Sequence, residues 1–304
     1  MVQEFSTKTN VRAHYTGRIL IVLIAVLWYW GFVDVLNAQQ LDLKLIVSSN
    51  ADLKNPHDLK LSPDGNWLFV SDTGNNRIAV LHPETLEFVG SFGEGHQDGT
   101  HDIDFDRSGN AYVADTHNNR VAIYRMDGRS GELIGQLDEQ IRGPEGVLYH
   151  PNGRVYVAGA WSGNVIVFEN GSIKAELTGL ASPHDLELNA DGTIWLADAG
   201  NHRMLRLTPE LAILEELSQA RYQFNGVRYQ DILTDGTLVV ADKNNHQVKF
   251  IRSDGRLLYV LGIGKPGMGP NQLTTPEGVE VRGSTLWISD SGNDRVLKYQ
   301  VVLP

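Results

Sequence analysis

The sequence contains no cysteine, so it has no disulfide framework, and its redox compartment cannot be read from thiols. It has no basic excess. Twenty-six Lys and Arg stand against 37 Asp and Glu, for a net charge of −11. A nucleic-acid surface needs a basic face to neutralise phosphates, so a nucleic-acid partner is excluded. Nor is there an ordinary membrane span. The longest uncharged apolar run, Ile19–Val33, has 15 residues, against about 20 needed to cross a bilayer.

That short run nevertheless carries information. Lys8, Arg12 and Arg18 precede it, and Leu36-Asn37-Ala38 follows at a place suited to cleavage. Residues 1–38 are expected to be a secretory signal peptide. The alternative is a short signal-anchor, with Trp28, Tyr29 and Trp30 at the membrane interface. Either way the remainder is expected to be exported, periplasmic or extracellular. Any membrane contact would run only through residues 19–33.

The rest of the chain, residues 39–304, is organised around His101–Tyr124, HDIDFDRSGNAYVADTHNNRVAIY. Two alternating apolar runs flank a Ser108-Gly109 turn, a polar loop follows, and Arg120 opens a third run. Period-two alternation broken by Gly turns predicts short antiparallel strands. The unit recurs. The loops SDTGNNR, ADTHNNR, ADAGNHR, ADKNNHQ and SDSGNDR place Asp at 72, 115, 198, 242 and 290, with Gly159 of AGAWSGN where a sixth falls. The spacings are 43, 44, 39, 44 and 48 residues, which signals a propeller or array whose units bury their faces only by stacking. Phe69, Tyr112, Tyr156, Trp195, Val239 and Trp287 stand three residues before the anchors, suited to wedge between units. Gly65, Gly109, Gly153, Gly192, Gly236 and Gly283 mark the first turns, where a tight hairpin requires positive φ.

The pattern Pro-His-Asp-Leu, Asp-Gly, aromatic-Val-Ala-Asp, Asn-x-Arg resembles the NHL repeat over roughly residues 41–304. The resemblance implies an all-β, six-bladed β-propeller. Leu41–Ser48 alternates but has no unit of its own, and the last unit stops at Pro304 without a fourth strand. The N-terminal strand is therefore expected to pair with the strand around Val296–Val301 and close the ring.

Asp and the Arg five residues later co-occur at 72/77, 115/120, 198/203 and 290/295, and both are lost together at Gly159 and Asn164. Joint loss points to an ion pair with a scaffolding role. Gln247 opposite Asp242 is intermediate. The deviant third loop carries Trp161, a candidate ligand contact or a blade-packing tip.

The chemistry is expected at the start of each first strand, which lines the central channel. His57, His101, Glu145, His184, Asn225 and Glu277 align there, with Gln230 as an alternative to Asn225. Three imidazoles, two carboxylates and an amide form a plausible divalent-cation site, zinc or calcium. The expected metal ligands are His57, His101, His184 and Glu277. Glu145, Asn225 and Trp161 are expected to bind a ligand at the channel mouth, with His117, His202 and His246 around it. Asp58, Asp102 and Asp185 follow the ring histidines and could fix their tautomers.

Pro56-His57-Asp58, Thr100-His101-Asp102 and Pro183-His184-Asp185 are similar to the zinc-ligand contexts of the peptidyl-hydroxyglycine α-amidating lyases. That resemblance implies a zinc-dependent carbon–nitrogen lyase, with zinc a Lewis acid on a substrate oxygen. The family's disulfides have no counterpart, its catalytic Tyr and Arg find no motif match, and its three histidines come from alternate blades. Two other classes are compatible with the residues. One is a non-catalytic extracytoplasmic binding or scaffold propeller for a small molecule, a peptide or a protein partner. The other is a metal-dependent lactonase-like hydrolase, suggested by Glu145, Asn225 and Glu277.

Overall fold

The structure, a computed structural model, describes residues 41–302. It contains six four-stranded antiparallel sheets, each one blade of a propeller. The first strands are Pro56–Leu61, Thr100–Phe105, Pro144–Tyr149, Pro183–Leu188, Val227–Ile232 and Val279–Arg282 in blades 1 to 6. Strands follow one another outward in sequence order in blades 1 to 5. Blade 6 differs as expected, because Asp42–Ser48 supplies its outermost strand. It pairs antiparallel with Arg295–Val302, from Asp42↔Val302 to Ser48↔Leu297. A closed ring leaves no long unpaired inner edge. The expected leader, residues 1–38, lies outside the described residues. No helix among the described residues is long and apolar enough to cross a membrane.

The blades hold together by aromatic and aliphatic packing between neighbours. Phe69 packs against Phe105 of the next blade at 5.3 Å between ring centroids. Tyr156 is fully buried and donates its hydroxyl to the Pro209 carbonyl of the following blade at 2.8 Å. Trp287 donates its indole N–H to the Pro83 carbonyl at 2.9 Å, joining the last blade to the first. Buried aromatics contribute through area, and their polar tips need partners, which these carbonyls supply.

The loop motif is a set of hydrogen bonds around one buried carboxylate. In blade 2, Asp115 Oδ2 accepts from Arg120 Nε at 2.7 Å and from Asn118 Nδ2 at 2.9 Å. Its Oδ1 accepts the backbone N–H of Asp98, in the turn leading to the first strand, at 2.8 Å. Asp72, Asp198 and Asp290 repeat the arrangement with Arg77, Arg203 and Arg295. In blade 5 the cation comes from two residues further along the same strand, for Lys249 contacts Asp242 where Gln247 cannot. In blade 3 a Cβ on Gly159 would fall 2.3 Å from Ser162 Oγ, so a small residue is required once the pair is gone. The residue ending each loop is left-handed, and several then reach the next blade. Asn76 Oδ1, Asn119 Oδ1, His202 Nδ1 and His246 Nδ1 accept N–H groups of Gly99, Gly143, Gly226 and Thr275. Asp294 accepts from Asn55 and carries the series across the closure. His202 and His246, expected around the mouth, are thus committed to structure there.

The channel is blocked below its mouth. Lys60 of blade 1 meets Glu187 of blade 4, directly across the ring, at 3.1 Å. Tyr229 of blade 5 reaches the Glu145 carbonyl of blade 3 at 2.8 Å. Between them lies a cavity of about 10 Å³ lined by Asp58, Asp102, Asp104, Asp185, Glu187 and Glu280, room for roughly one water. Burial pushes the Asp104 carboxyl to about 6 and Glu280 to about 7, and raises Asp231 well above the ordinary carboxylate range. Lys60 opposes each of these shifts.

Three predictions follow from these contacts. Deleting residues 42–48 exposes the edge of Arg295–Val302 and should lower the melting temperature strongly. An unchanged value would contradict strand closure. Replacing Arg120 by Met leaves Asp115 short of its charged partner, which should cost on the order of 3 kcal/mol in urea denaturation. A loss below about 1 kcal/mol would equate it with an exposed pair. The third is a pH dependence. Carboxyls raised in the folded state contribute stability that is complete below about pH 4 and lost as pH rises through about 6–7. The buried His57 and His101, lowered in the folded state, oppose this only below about pH 6.5. The melting temperature should therefore fall between about pH 5 and 7.5, and fall more steeply in Lys60→Met, which removes the lysine lining that cavity.

Candidate active site at the channel mouth

Every first strand begins at the mouth. In blades 1, 2, 4 and 5 the register slips by one residue there, between Pro56 and Leu59, Thr100 and Asp102, Pro183 and Leu186, and Val227 and Gln230. Blade 3 slips between Pro144 and Gly146. Such a bulge re-aims side chains beside a site and relaxes strict alternation. It explains why His57, His101 and His184 stand at the mouth while the next residues, Asp58, Asp102 and Asp185, line the cavity beneath. Contrary to the expectation from sequence, those aspartates do not hold the imidazole tautomers. Asp102 and Asp185 instead accept backbone N–H groups of Val147 and Gln230 in the following blade, at 2.6 and 2.7 Å. At Gly146 a Cβ would come 1.9 Å from the His184 carbonyl oxygen, so the blades close tightly at that place.

The imidazoles are oriented by backbone. His101 Nδ1 lies 2.8 Å from the Gly99 carbonyl, and His184 Nδ1 lies 2.8 Å from that of Ser182. Each carbonyl can only accept, which assigns Nδ1 the donor role toward it and leaves Nε2 to face the mouth. Both Nε2 atoms turn to the same carboxylate oxygen. His184 Nε2 contacts Glu145 Oε2, and His101 Nε2 lies 4.0 Å from it. A bare ring nitrogen facing a carboxylate repels it unless a cation lies between them, a proton or a metal. Burial alone would raise the Glu145 carboxyl, but His184, then His101 and Arg228, hold it well below the ordinary range.

His57 stands edge-on to His101, with ring centroids 4.3 Å apart. Its Nε2 is 3.0 Å from the Asn55 amide nitrogen, and its buried Nδ1 has no hydrogen-bond partner. Burial, the neighbouring His101 and Lys243 lower its pKa well below the usual imidazole value. Glu277 is fully buried and stands apart from the His101–Glu145–His184 group. It meets Arg228 Nε at 3.1 Å and contacts Lys243, while His57 Nε2 is 4.0 Å away. Among the described residues no group of three or more His, Cys, Asp or Glu side chains is placed to hold a metal ion.

Two assignments change. Asn225 is exposed and precedes the first strand of blade 5; its backbone N–H binds Asp242. The ring position belongs to Arg228, whose Nη1 lies 3.3 Å from His184 Nδ1. Gln230 sits deeper and donates to the Trp195 carbonyl. The signal was available, since Arg228 precedes its turn glycine, Gly236, by the eight residues seen for His57, His101, Glu145 and His184. Lys243 was also legible in part. It holds the loop place where Thr73, Thr116 and Ser291 donate hydroxyls to the carbonyls of Thr100, Pro144 and Pro56. A longer cationic side chain there reaches the Glu277 carboxylate instead.

Comparison with known proteins agrees with this architecture. The NHL repeat family matches residues 180–207, and a family of lactonases with a seven-bladed β-propeller matches residues 37–151. Peptidyl-glycine alpha-amidating monooxygenase B of Xenopus laevis is 25% identical over 203 residues. The match takes in 58% of this chain and 23% of that protein, so the chain spans about a quarter of its relative's length. Among solved structures, virginiamycin B lyase from Staphylococcus aureus superposes with a TM-score of 0.62 at 16% identity, covering 86% of this chain and 100% of that one. A Bacteroides thetaiotaomicron protein of unknown function gives 0.69 at 15% identity, covering 86% and 72%. At these identities the structural likeness speaks for the fold alone. Six closed blades and the repeated Asp–Asn–Arg loop make this chain a six-bladed β-propeller, similar to the NHL repeat over residues 180–207.

Proposed function

We propose that the channel mouth is a cation-dependent lyase-type active site, acting outside the cytoplasm if the expected leader directs export. One observation carries the reading: the Nε2 atoms of two imidazoles converge on the Glu145 carboxylate. His101, Glu145 and His184 are the residues that would hold a divalent cation, with His57 beside them. Glu277, engaged by Arg228 and Lys243, is replaced in that set by Glu145. Two imidazoles and a carboxylate from three blades suit zinc, whose catalytic sites use three protein ligands and keep a position open. Once bound, the ion would supply Lewis-acid polarisation of a substrate oxygen.

The chain's own groups have distinct parts. Glu145 stays ionised and serves as a ligand rather than a proton donor. His57, kept neutral by burial and by the neighbouring His101 and Lys243, stands beside the site with an unpartnered Nδ1 free to meet a substrate group. Arg228 and Lys243 are fixed cations on blade 5 that can face negative charge developing on a substrate. The blocked channel admits substrate from the mouth only. The 25% identity to peptidyl-glycine alpha-amidating monooxygenase B supports an enzymatic role over simple binding. The lactonase family match, which spans His57, His101 and Glu145, supports hydrolysis of a lactone as the second reading.

Elemental analysis of purified residues 39–304 should find about one divalent ion per chain, reduced to a small fraction in His184→Ala and Glu145→Gln. The same variants should lose at least about a hundredfold in turnover of a hydroxyglycine-extended peptide or a depsipeptide lactone. Zinc with elimination products supports the lyase reading. Calcium with lactone hydrolysis supports the second reading. Failure to retain zinc or calcium added in excess overturns both.

A further inference from the structure

Trp161 was singled out by its place in the one deviant loop, and the structure gives it unusual support. It is the most exposed described tryptophan, at 54%, yet it is held on two sides. One is Gly143, where a Cβ would fall 2.3 Å from Trp161 Cδ2. The other is His117, stacked with ring centroids 5.9 Å apart and planes at 23°. His117 in turn rests on Gly99, where a Cβ would come 2.7 Å from its ring. Both glycines have positive φ, +55° and +64°. In blades 1, 4 and 6 the same loop position is Gly74, Gly200 and Gly292. Blades 2 and 3 carry a ring there instead, each seated on a glycine, and the result is an aromatic shelf.

The shelf is tied to the candidate site. Trp161 N donates to the Arg142 carbonyl at 3.2 Å, three residues before Glu145. His117 N donates to the Asp98 carbonyl at 3.0 Å, three residues before His101. Three residues of chain span at most about 10 Å, so the shelf borders the two blades that present His101 and Glu145. Its polar neighbours are already committed. His117 Nδ1 meets Asp98 at 3.1 Å, Asn119 Oδ1 accepts from Gly143 N at 2.9 Å, and Asn118 Nδ2 binds Asp115 at 2.9 Å. A sugar ring would need several such groups free to receive its hydroxyls. A flat aromatic group needs only the open indole face.

We propose that Trp161, stacked on His117, is the specificity platform of the mouth, and that it receives an aromatic side chain carried by the substrate next to the group held at His101 and Glu145. The choice of neighbour rests on the active-site reading above; the platform itself does not.

The test compares N-acetylphenylalanine amide with N-acetylalanine amide, two probes that differ only in the aromatic ring, by ligand-observed NMR titration. Wild-type protein should bind the aromatic probe about tenfold more tightly. Trp161→Ala should abolish the preference and Trp161→Phe should keep part of it, with bound metal unchanged in both. A wild-type protein indifferent to the ring, or an undiminished preference in Trp161→Ala, overturns the proposal. Neither readout needs turnover or a bound ion. A failed lyase assay would therefore leave the preference standing, and a lost preference would leave the metal result untouched.

Discussion

The structure depends on one carboxylate repeated around a ring. Each loop aspartate is fully shielded from solvent and has to be satisfied by donors from its own blade. One oxygen takes the arginine and the asparagine. The other takes a backbone N–H from the turn that leads into the first strand. That second bond has functional reach, because the first strand carries the channel residue two or three positions further on. The position of His101 is therefore set by Asp115, and that of His184 by Asp198. The left-handed loop residue then ties each such turn to the blade before it.

A ring built this way brings six side chains to one mouth, but the identity of those side chains is free to vary. Here they fall into two groups. His101, Glu145 and His184 meet across blades 2, 3 and 4, with His57 alongside. Arg228, Lys243 and Glu277 form a compensated cluster across blades 5 and 6. The division places two imidazoles and a carboxylate on one side of the mouth and fixed positive charge on the other. Beneath both, Tyr229 and the Lys60–Glu187 pair shut the channel, so the mouth is a pocket rather than a pore.

Some of this was legible from residues alone. The Asp–Arg co-occurrence led to the correct ion pairs, because two charges in one buried loop are kept or lost together. The orphan strand at Leu41–Ser48 and the three-stranded last unit implied the closure seen at Asp42↔Val302. The eight-residue spacing to the turn glycine located His57, His101, Glu145 and His184 at the mouth. The same spacing marks Arg228, whereas Asn225 stands eleven residues before that glycine. Lys249 as the partner of Asp242 was not legible, since it lies seven residues away on a neighbouring strand and belongs to no motif.

The sequence by itself determined the repeat, the number of blades, the mode of closure and the column that faces the axis. These follow from periodicity and from local hydrogen-bond chemistry, which recur with the chain. Only the tertiary structure decided which members of that column meet. Pairing across a ring depends on blade order, on bulges that turn consecutive side chains toward the channel, and on close approaches such as Gly146 against the His184 carbonyl. Glu145 and Glu277 occupy equivalent repeat positions, yet one faces two imidazoles and the other an arginine and a lysine. Their neighbours come from other repeats, and contacts between repeats are not written in any one of them.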